Sequence, residues 1–180
     1  SYFHSLTYQN RLVKADLFPI GIDIKKFQQT ALEPETVASY NEIKKNFENK
    51  KIIFSVDRLD YSKGLMDRLL AFDYFLEHNP EWLEKLVFIL NVVPSRDEIN
   101  AYHLRKREIE EKIGTINGKY SSISWQPIIY RYNHLPFNEL LALYQVSDVA
   151  LISPLRDGMN LVAKEYVASC TDQHGVLTLS

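Results

Sequence analysis

A chain of 180 residues, 46% of them hydrophobic, suffices for one well-packed domain or for part of a two-domain enzyme. Lys and Arg number 21 against 23 Asp and Glu, so no global field is available to hold nucleic acid or an anionic membrane. The lone Cys170 excludes an internal disulfide and is too few for a cysteine-ligated metal site, no apolar run approaches membrane-span length, and SYFHSLTYQN does not resemble a signal peptide; the expectation is a soluble, cytoplasmic chain.

In chain order, Ser1 to Lys14 is polar and aromatic without clear period, and Val13 to Ile24 reads as a short strand broken by Pro19 and Gly21, so residues 1–24 form an entry segment. Pro34 to Phe47 carries a weak helical pattern with charges on one side, the mark of a surface helix. Lys51 to Val56 is a β-branched and aromatic run that suits a buried strand, and it ends in the polar loop Asp57 to Gly64. A helix follows at once, with Leu65, Leu69, Phe72 and Leu76 on one face. Leu86 to Val93 is the next buried strand, closed by Pro94-Ser95-Arg96. A long helix from Asp97 to about Ile116 sets Ile99, Tyr102, Ile109, Ile113 and Ile116 on one side and Arg105, Lys106 and Arg107 mostly on the other, a solvated face with glutamates at hand. Asn117-Gly118 signals a turn, Ser124 to Tyr130 a strand irregular at Pro127, and Phe137 to Tyr144 a helix. Asp148 to Ser169 then reads as a buried strand over Val149 to Ile152, a tight loop punctuated by Pro154 and Gly158, and a helix capped by Asn160. Cys170, at the apolar end of that helix, suits a small buried residue better than a reactive thiol. Val176 to Leu179 is a last strand.

Short apolar runs alternating with helical patterns predict an α/β fold, a Rossmann-like parallel sheet with helices on both faces, as one domain over residues 1–180. The last strand reaches the end of the chain with no closing helix to cover its sheet face, so the expectation is a fragment of something longer. In such sheets ligands bind beyond the carboxyl ends of the strands, where strand order reverses. Polar residues concentrate at three such ends: Asp57 to Lys63, Pro94 to Asp97 and Pro154 to Glu165. A helix start at Gly158 to Val162 would aim free backbone N–H groups and partial positive charge at an anion. Glu165, one turn further in, leans back toward sugar hydroxyls beside that anion. Arg58 and Lys63 follow a buried strand directly, and a diphosphate requires such cations on rigid supports, Arg for forked hydrogen bonds and Lys as a point charge. The plainer alternative is a capped core helix whose Asp157 and Glu165 merely meet solvent, with Arg58 and Lys63 pairing with Asp57 or Asp60 at the surface; Arg96 has the same two readings.

Other chemistries lack their signatures. There is no G-x-G-x-x-G, no G-x-x-x-x-G-K-[ST] and no G-x-S-x-G. His4, His78, His103, His134 and His174 are scattered without metal-ligand spacing, and aromatics do not interleave with basic residues as on a single-strand nucleic-acid platform.

FPIGID at Phe18 to Asp23, VDRLDYSKGL at Val56 to Leu65, PSR at Pro94 to Arg96, INGKY at Ile116 to Tyr120 and SPLRDGMNLVAKEYVAS at Ser153 to Ser169 closely resemble the trehalose-6-phosphate synthase family, in order and spacing over nearly all of residues 19–180. The resemblance implies the C-terminal, nucleotide-sugar-binding half of a two-Rossmann-domain (GT-B) glycosyltransferase, with the family's N-terminal domain missing as a partner. It implies transfer of glucose from UDP-glucose to glucose 6-phosphate with retention, no cofactor and no required metal. By motif, Arg58 and Lys63 would hold the donor diphosphate and stabilise the leaving UDP, and Arg96 would meet the phosphate of glucose 6-phosphate. Asp157 would contact the donor glucose, the backbone of Met159, Asn160, Leu161 and Val162 would receive donor oxygens and phosphate, and Glu165 would bind the ribose. Stabilising a leaving group with prepositioned cations is electrostatic catalysis and demands no protein nucleophile.

A catalytically silent UDP-sugar-binding regulatory or sensor subunit is the alternative function, set against the retention of Arg58, Lys63, Asp157 and Glu165 together. A bare phosphate-binding Rossmann module is a third, and it would show no preference for uridine. The donor base (UDP, GDP or ADP) and assembly into a homo-oligomer are not legible in the residues.

Overall fold

The computed structural model describes residues 4–95, 100–171 and 174–180. Strands β1 (His4–Tyr8) and β2 (Arg11–Ala15) form an antiparallel hairpin of their own. Gln9 and Asn10 join them at φ 47° and 59°, the left-handed pair that a tight hairpin turn requires. This corrects the single strand expected over 13–24. Every residue of β2 is exposed, so no alternation of apolar and polar positions marks it in the sequence. Helix α1 (Ile24–Thr30) follows, its N-cap Asp23 accepting from the Lys26 N–H at 3.2 Å. Helix α2 (Pro34–Asn46) opens on a proline, whose missing N–H costs nothing at a helix start.

The main sheet has strands β3 (Lys51–Arg58), β4 (Leu86–Val93), β5 (Ile128–Tyr132), β6 (Val149–Ile152) and β7 (Val176–Leu179), all parallel, in the order β5-β4-β3-β6-β7. Helices α3 (Leu65–His78), α4 (Asn100–Tyr120), α5 (Phe137–Val146) and α6 (Leu161–Ser169) make the crossovers. The pleat sends alternate residues to opposite faces. Val87 and Ile89 of β4 join Phe54, Ala150 and Ile152 under Phe27, Leu141, Tyr144 and Tyr166 of α1, α5 and α6. Phe88, Leu90 and Val92 face the other way, under Leu65, Leu69, Phe72 and Leu76 of α3 and Ile109, Ile113 and Ile116 of α4. Each such burial contributes about 1.5–3 kcal/mol before the entropy of ordering the chain is subtracted. The α/β sheet with helices on both faces is therefore as the sequence indicates.

The boundaries differ where side chains replace backbone partners. Asn117-Gly118 is not a turn: α4 runs through it to Tyr120. The Asn117 amide instead clasps the start of β5, donating to the Ile128 carbonyl and accepting from the Ile128 N–H, both at 3.0 Å. β5 begins only after Pro127, which has no N–H to offer, though its carbonyl accepts from the Phe88 N–H at 2.8 Å. Arg105 and Lys106 pair with Glu108 and Glu110 on the solvent side of α4, whereas Asp97 and Ile99, its expected first turn, lie outside the described residues. Cys170 is half-buried, its thiol donating to the Tyr144 carbonyl at 3.5 Å.

Candidate nucleotide-sugar site

Strand order reverses between β3 and β6, because the chain leaves β3 toward β4 and β5 and later returns beside β3 to build β6 and β7. The loops after β3 and β6 meet at this reversal, main chain to main chain: the N–H groups of Leu155 and Arg156 donate to the Ser62 carbonyl at 2.8 and 3.2 Å. Gly64 allows the approach. It sits at φ +63°, and a Cβ there would stand 2.7 Å from the Ser153 carbonyl oxygen. The β3 loop is further shaped by Asp60, whose Oδ1 accepts from the N–H and hydroxyl of Ser62 at 2.9 and 2.7 Å.

This geometry brings Lys63 and Asp157 into contact. Lys63 Nζ lies 2.7 Å from Asp157 Oδ2 and 3.7 Å from Asp57 Oδ1, the side chains of the closer pair being 16% and 20% exposed. The plainer alternative pairs Lys63 with Asp57 or Asp60; the Asp57 contact is present, but the closer partner is Asp157, 94 residues away in the chain. The bond from Lys63 holds the Asp157 carboxyl below the ordinary aspartate range, and the N–H groups of Met159 and Gly158 add to this. Burial pushes Asp57 the other way, above the ordinary range, against the pull of Arg68 and then Lys63. Arg58, the last residue of β3, is exposed and its guanidinium has no partner among the described residues. Arg96 lies outside the described residues.

The start of α6 closes the other side. Asn160 is its N-cap, Oδ1 accepting from the Ala163 N–H at 3.2 Å, and the Asn160 Nδ2 is buried without a partner. Met159 donates its N–H to Asp157 Oδ1 at 3.2 Å, so the loop is wound back on its own carboxylate. Leu161 and Val162 form the half-buried first turn, where helix N–H groups have no intrahelical acceptor. The entry segment braces this turn: Ile20 donates its N–H to Met159 Sδ at 3.2 Å and its carbonyl accepts from Lys164 Nζ at 2.8 Å. Beside it an open cleft of about 630 Å³ is lined by residues 154–160 with Leu179 and Ser180. Glu165 is held from below, its Oε2 accepting from the buried Tyr144 hydroxyl at 3.1 Å.

Two participants escaped the sequence reading. Arg68 is 2% exposed and bonds to Asp57, Ser55, Ser153 and the Lys63 carbonyl; its signal was a charged residue inside the Leu65, Leu69, Phe72, Leu76 stripe. The other is Tyr144, which the sequence marks only as the end of the helix over Phe137 to Tyr144. Among the described residues no group of three or more His, Cys, Asp or Glu could hold a metal ion, and no helix is long and apolar enough to cross a membrane.

The sequence model of glycosyltransferase family 20 matches residues 1–180. The chain is 47% identical over 171 residues to a bifunctional trehalose-6-phosphate synthase/phosphatase of Thermoproteus tenax, covering 95% of this chain and 23% of that protein. It is 42% identical over 177 residues to a UDP-forming alpha,alpha-trehalose-phosphate synthase of Candida albicans, covering 98% of this chain and 37% of that one. Among solved structures, a UDP-forming alpha,alpha-trehalose-phosphate synthase of Burkholderia xenovorans in complex with glucose-6-phosphate superposes with a TM-score of 0.93 at 36% identity, over 99% of this chain and 39% of that one. An E. coli trehalose-6-phosphate structure bound with UDP-2-fluoro glucose gives a TM-score of 0.89 at 39% identity, over 97% of this chain and 39% of that one. Matched along its whole length by the family model and built on the fold of these synthases, the chain belongs to glycosyltransferase family 20.

Proposed function

We propose that this chain is the donor-binding half of an enzyme that transfers glucose from UDP-glucose to glucose 6-phosphate, giving α,α-trehalose 6-phosphate and UDP with retention. Residues 1–180 act as one nucleotide-sugar-binding domain in the cytoplasm, with an N-terminal domain as covalent partner. The observation that carries this reading is the meeting of Lys63 with Asp157 and the α6 start at the reversal of strand order. A cation, an acidic group for sugar hydroxyls and a helix N-terminus for phosphate stand there together. The relatives named above, one of them holding UDP-2-fluoro glucose and another glucose-6-phosphate, support the choice of donor and acceptor.

In this reading Arg58 and Lys63 neutralise the diphosphate as the bond to the glucose breaks, with no metal required of the protein, and Asp157 turns from Lys63 to the donor glucose. The N–H groups of Met159 to Val162 receive donor oxygens, Glu165 binds the ribose, and Arg96 grips the acceptor phosphate. The test is calorimetric titration of the chain with UDP, GDP and ADP. Uridine-selective binding that is lost in Lys63→Ala supports the reading; equal affinity for all three and for inorganic pyrophosphate would reduce the chain to a general phosphate binder.

A further inference from the structure

The reversal between β3 and β6 is also where the pairing of the sheet is shortest. The two strands register only through Ile53 with Val149 and Phe54 with Ala150, and beyond that point they part. Beyond the last registered pair Arg68 reaches in from α3, with a side chain only 1% exposed. Its Nε donates to Ser153 Oγ at 3.1 Å, its Nη1 to Ser55 Oγ, and its Nη2 to Asp57 Oδ2 and to the Lys63 carbonyl, both at 2.6 Å. One guanidinium therefore touches β3, the end of β6, the main chain of Lys63 and the carboxylate that flanks the Lys63 amine.

A buried ion pair contributes little net stability compared with well-packed apolar groups of the same size. What it supplies here is geometry. Without Arg68 the parted strands would leave Ser55, Ser153 and Asp57 facing each other across a void, and the Lys63 carbonyl would lose its acceptor role at the end of the loop. We infer that Arg68 is a positioning residue: it locks the Lys63 main chain to both parted strands and, through Asp57, sets the place of the Lys63 amine opposite the start of α6. This rests on the donor-site reading above. Lysine is no substitute, because a single ammonium cannot fork to groups on two strands and a loop at once.

The experiment uses the 180-residue chain with its lysines carrying ¹³C-methyl groups, compared as wild type, Arg68→Lys and Ser153→Ala by NMR and by UDP titration. Loss of one signal in Lys63→Arg identifies Lys63. Lys112 is the control, because its 2.7 Å bond to Asp73 reports the docking of α3 on α4. In Arg68→Lys the Lys63 signal should move while that of Lys112 stays, and UDP affinity should fall about tenfold or more, as when a forked charge-assisted contact is lost. Ser153→Ala, which removes one acceptor and leaves the Arg68–Asp57 pair, should move Lys63 in the same direction by less. A folded Arg68→Lys chain with the wild-type Lys63 signal and UDP affinity would overturn the inference, and so would Lys63 and Lys112 moving together, the mark of a loosened helix. Were Arg68→Lys unable to fold, an unmoved Lys63 signal in Ser153→Ala would overturn it alone. Failure of the wild-type chain to bind UDP removes the donor-site reading itself, and the positioning role with it.

Discussion

Lys63 and Asp157 stand 2.7 Å apart and hold each other across two loops. A diphosphate arriving at Lys63 must therefore displace a carboxylate. Asp157→Asn removes that competitor, so UDP should bind about three- to tenfold tighter, the range of a partly buried ion pair. In the proposed donor site the same change deprives the glucose of its acceptor, so any advantage of UDP-glucose over UDP should disappear. Calorimetry with both ligands checks the two halves; weaker UDP binding by the variant would exclude the competition.

Tyr144 supports Glu165 as Asp57 supports Lys63. Burial, followed by the nearby Glu165 charge, pushes the Tyr144 hydroxyl far above its ordinary range, so it is a donor at every working pH. Tyr144→Phe should weaken UDP about threefold to tenfold, the loss of a hydrogen bond to a charged group, while leaving a 2′,3′-dideoxy analogue unaffected. Equal losses for both nucleotides would detach Glu165 from the ribose.

Lys63→Ala and Glu165→Ala should separate kinetically in an enzyme that carries this chain as its donor half. In the proposed transfer the charge met by Lys63 grows as the bond to UDP breaks, so its loss should lower kcat as well as affinity. Ribose hydroxyls change little during transfer, so Glu165→Ala should act mainly on donor KM. Steady-state rates against UDP-glucose decide; effects of both variants on KM alone would overturn these roles.

Two glycines at the site make opposite demands. At Gly64 an added methyl meets the Ser153 carbonyl at 2.7 Å on a left-handed backbone, whereas at Gly158 nothing lies within 4 Å. Gly64→Ala should cost about 1–3 kcal/mol of stability and Gly158→Ala about 0.5 kcal/mol or less. Urea unfolding of both variants measures the contrast, and equal losses would mean that the two loops do not depend on this approach.

What the residues disclose follows from how locally each feature is encoded. β4 and β6 match their expected bounds because short apolar runs such as Leu86 to Val93, interrupted only by Asn91, suit strands of a sheet covered on both faces. The placing of Lys63, Asp157 and Asn160 at the ends of strands and the start of a helix was legible, because each is encoded by its immediate neighbours in the chain. The partnership of Lys63 with Asp157 was not, since it depends on two loops 94 positions apart. Arg68 was hidden for a different reason: its helical position belongs to the core, and only the parting of β3 and β6 makes room for a charge there. The hairpin β1–β2 buries none of the residues of β2, so its pairing leaves no pattern to read.

The α3–α4 contact should carry an acid-sensitive increment. Burial alone would raise the Asp73 carboxyl, but bonds from Lys112 and Tyr120 and the charges of Lys112 and Lys119 outweigh it and the group lies below its ordinary range. For a depressed carboxylate the stabilisation is complete above the unfolded value, about 3.9, and is lost as pH falls through the lower folded value. Asp73→Asn should thus cost about 0.5–1 kcal/mol at pH 7, a difference that persists to about pH 5 and closes below about pH 4. Paired urea titrations across that range test it; a difference that closes between pH 7 and 5 would assign the effect to another group.

Arg68, Asp57, Lys63 and Asp157 alternate in sign and cancel at this mouth, which leaves Arg58 and Arg156 as its cations without a side-chain partner among the described residues. An anion approaching from beyond the Debye length, about 8 Å at physiological ionic strength, is drawn by those two arginines and not by Lys63 or Arg68. The rate of capture then carries only the salt dependence of those two arginines. The rest of the ionic dependence appears in the lifetime of the complex, because the attraction of Lys63 is created only after it exchanges its carboxylate for a phosphate.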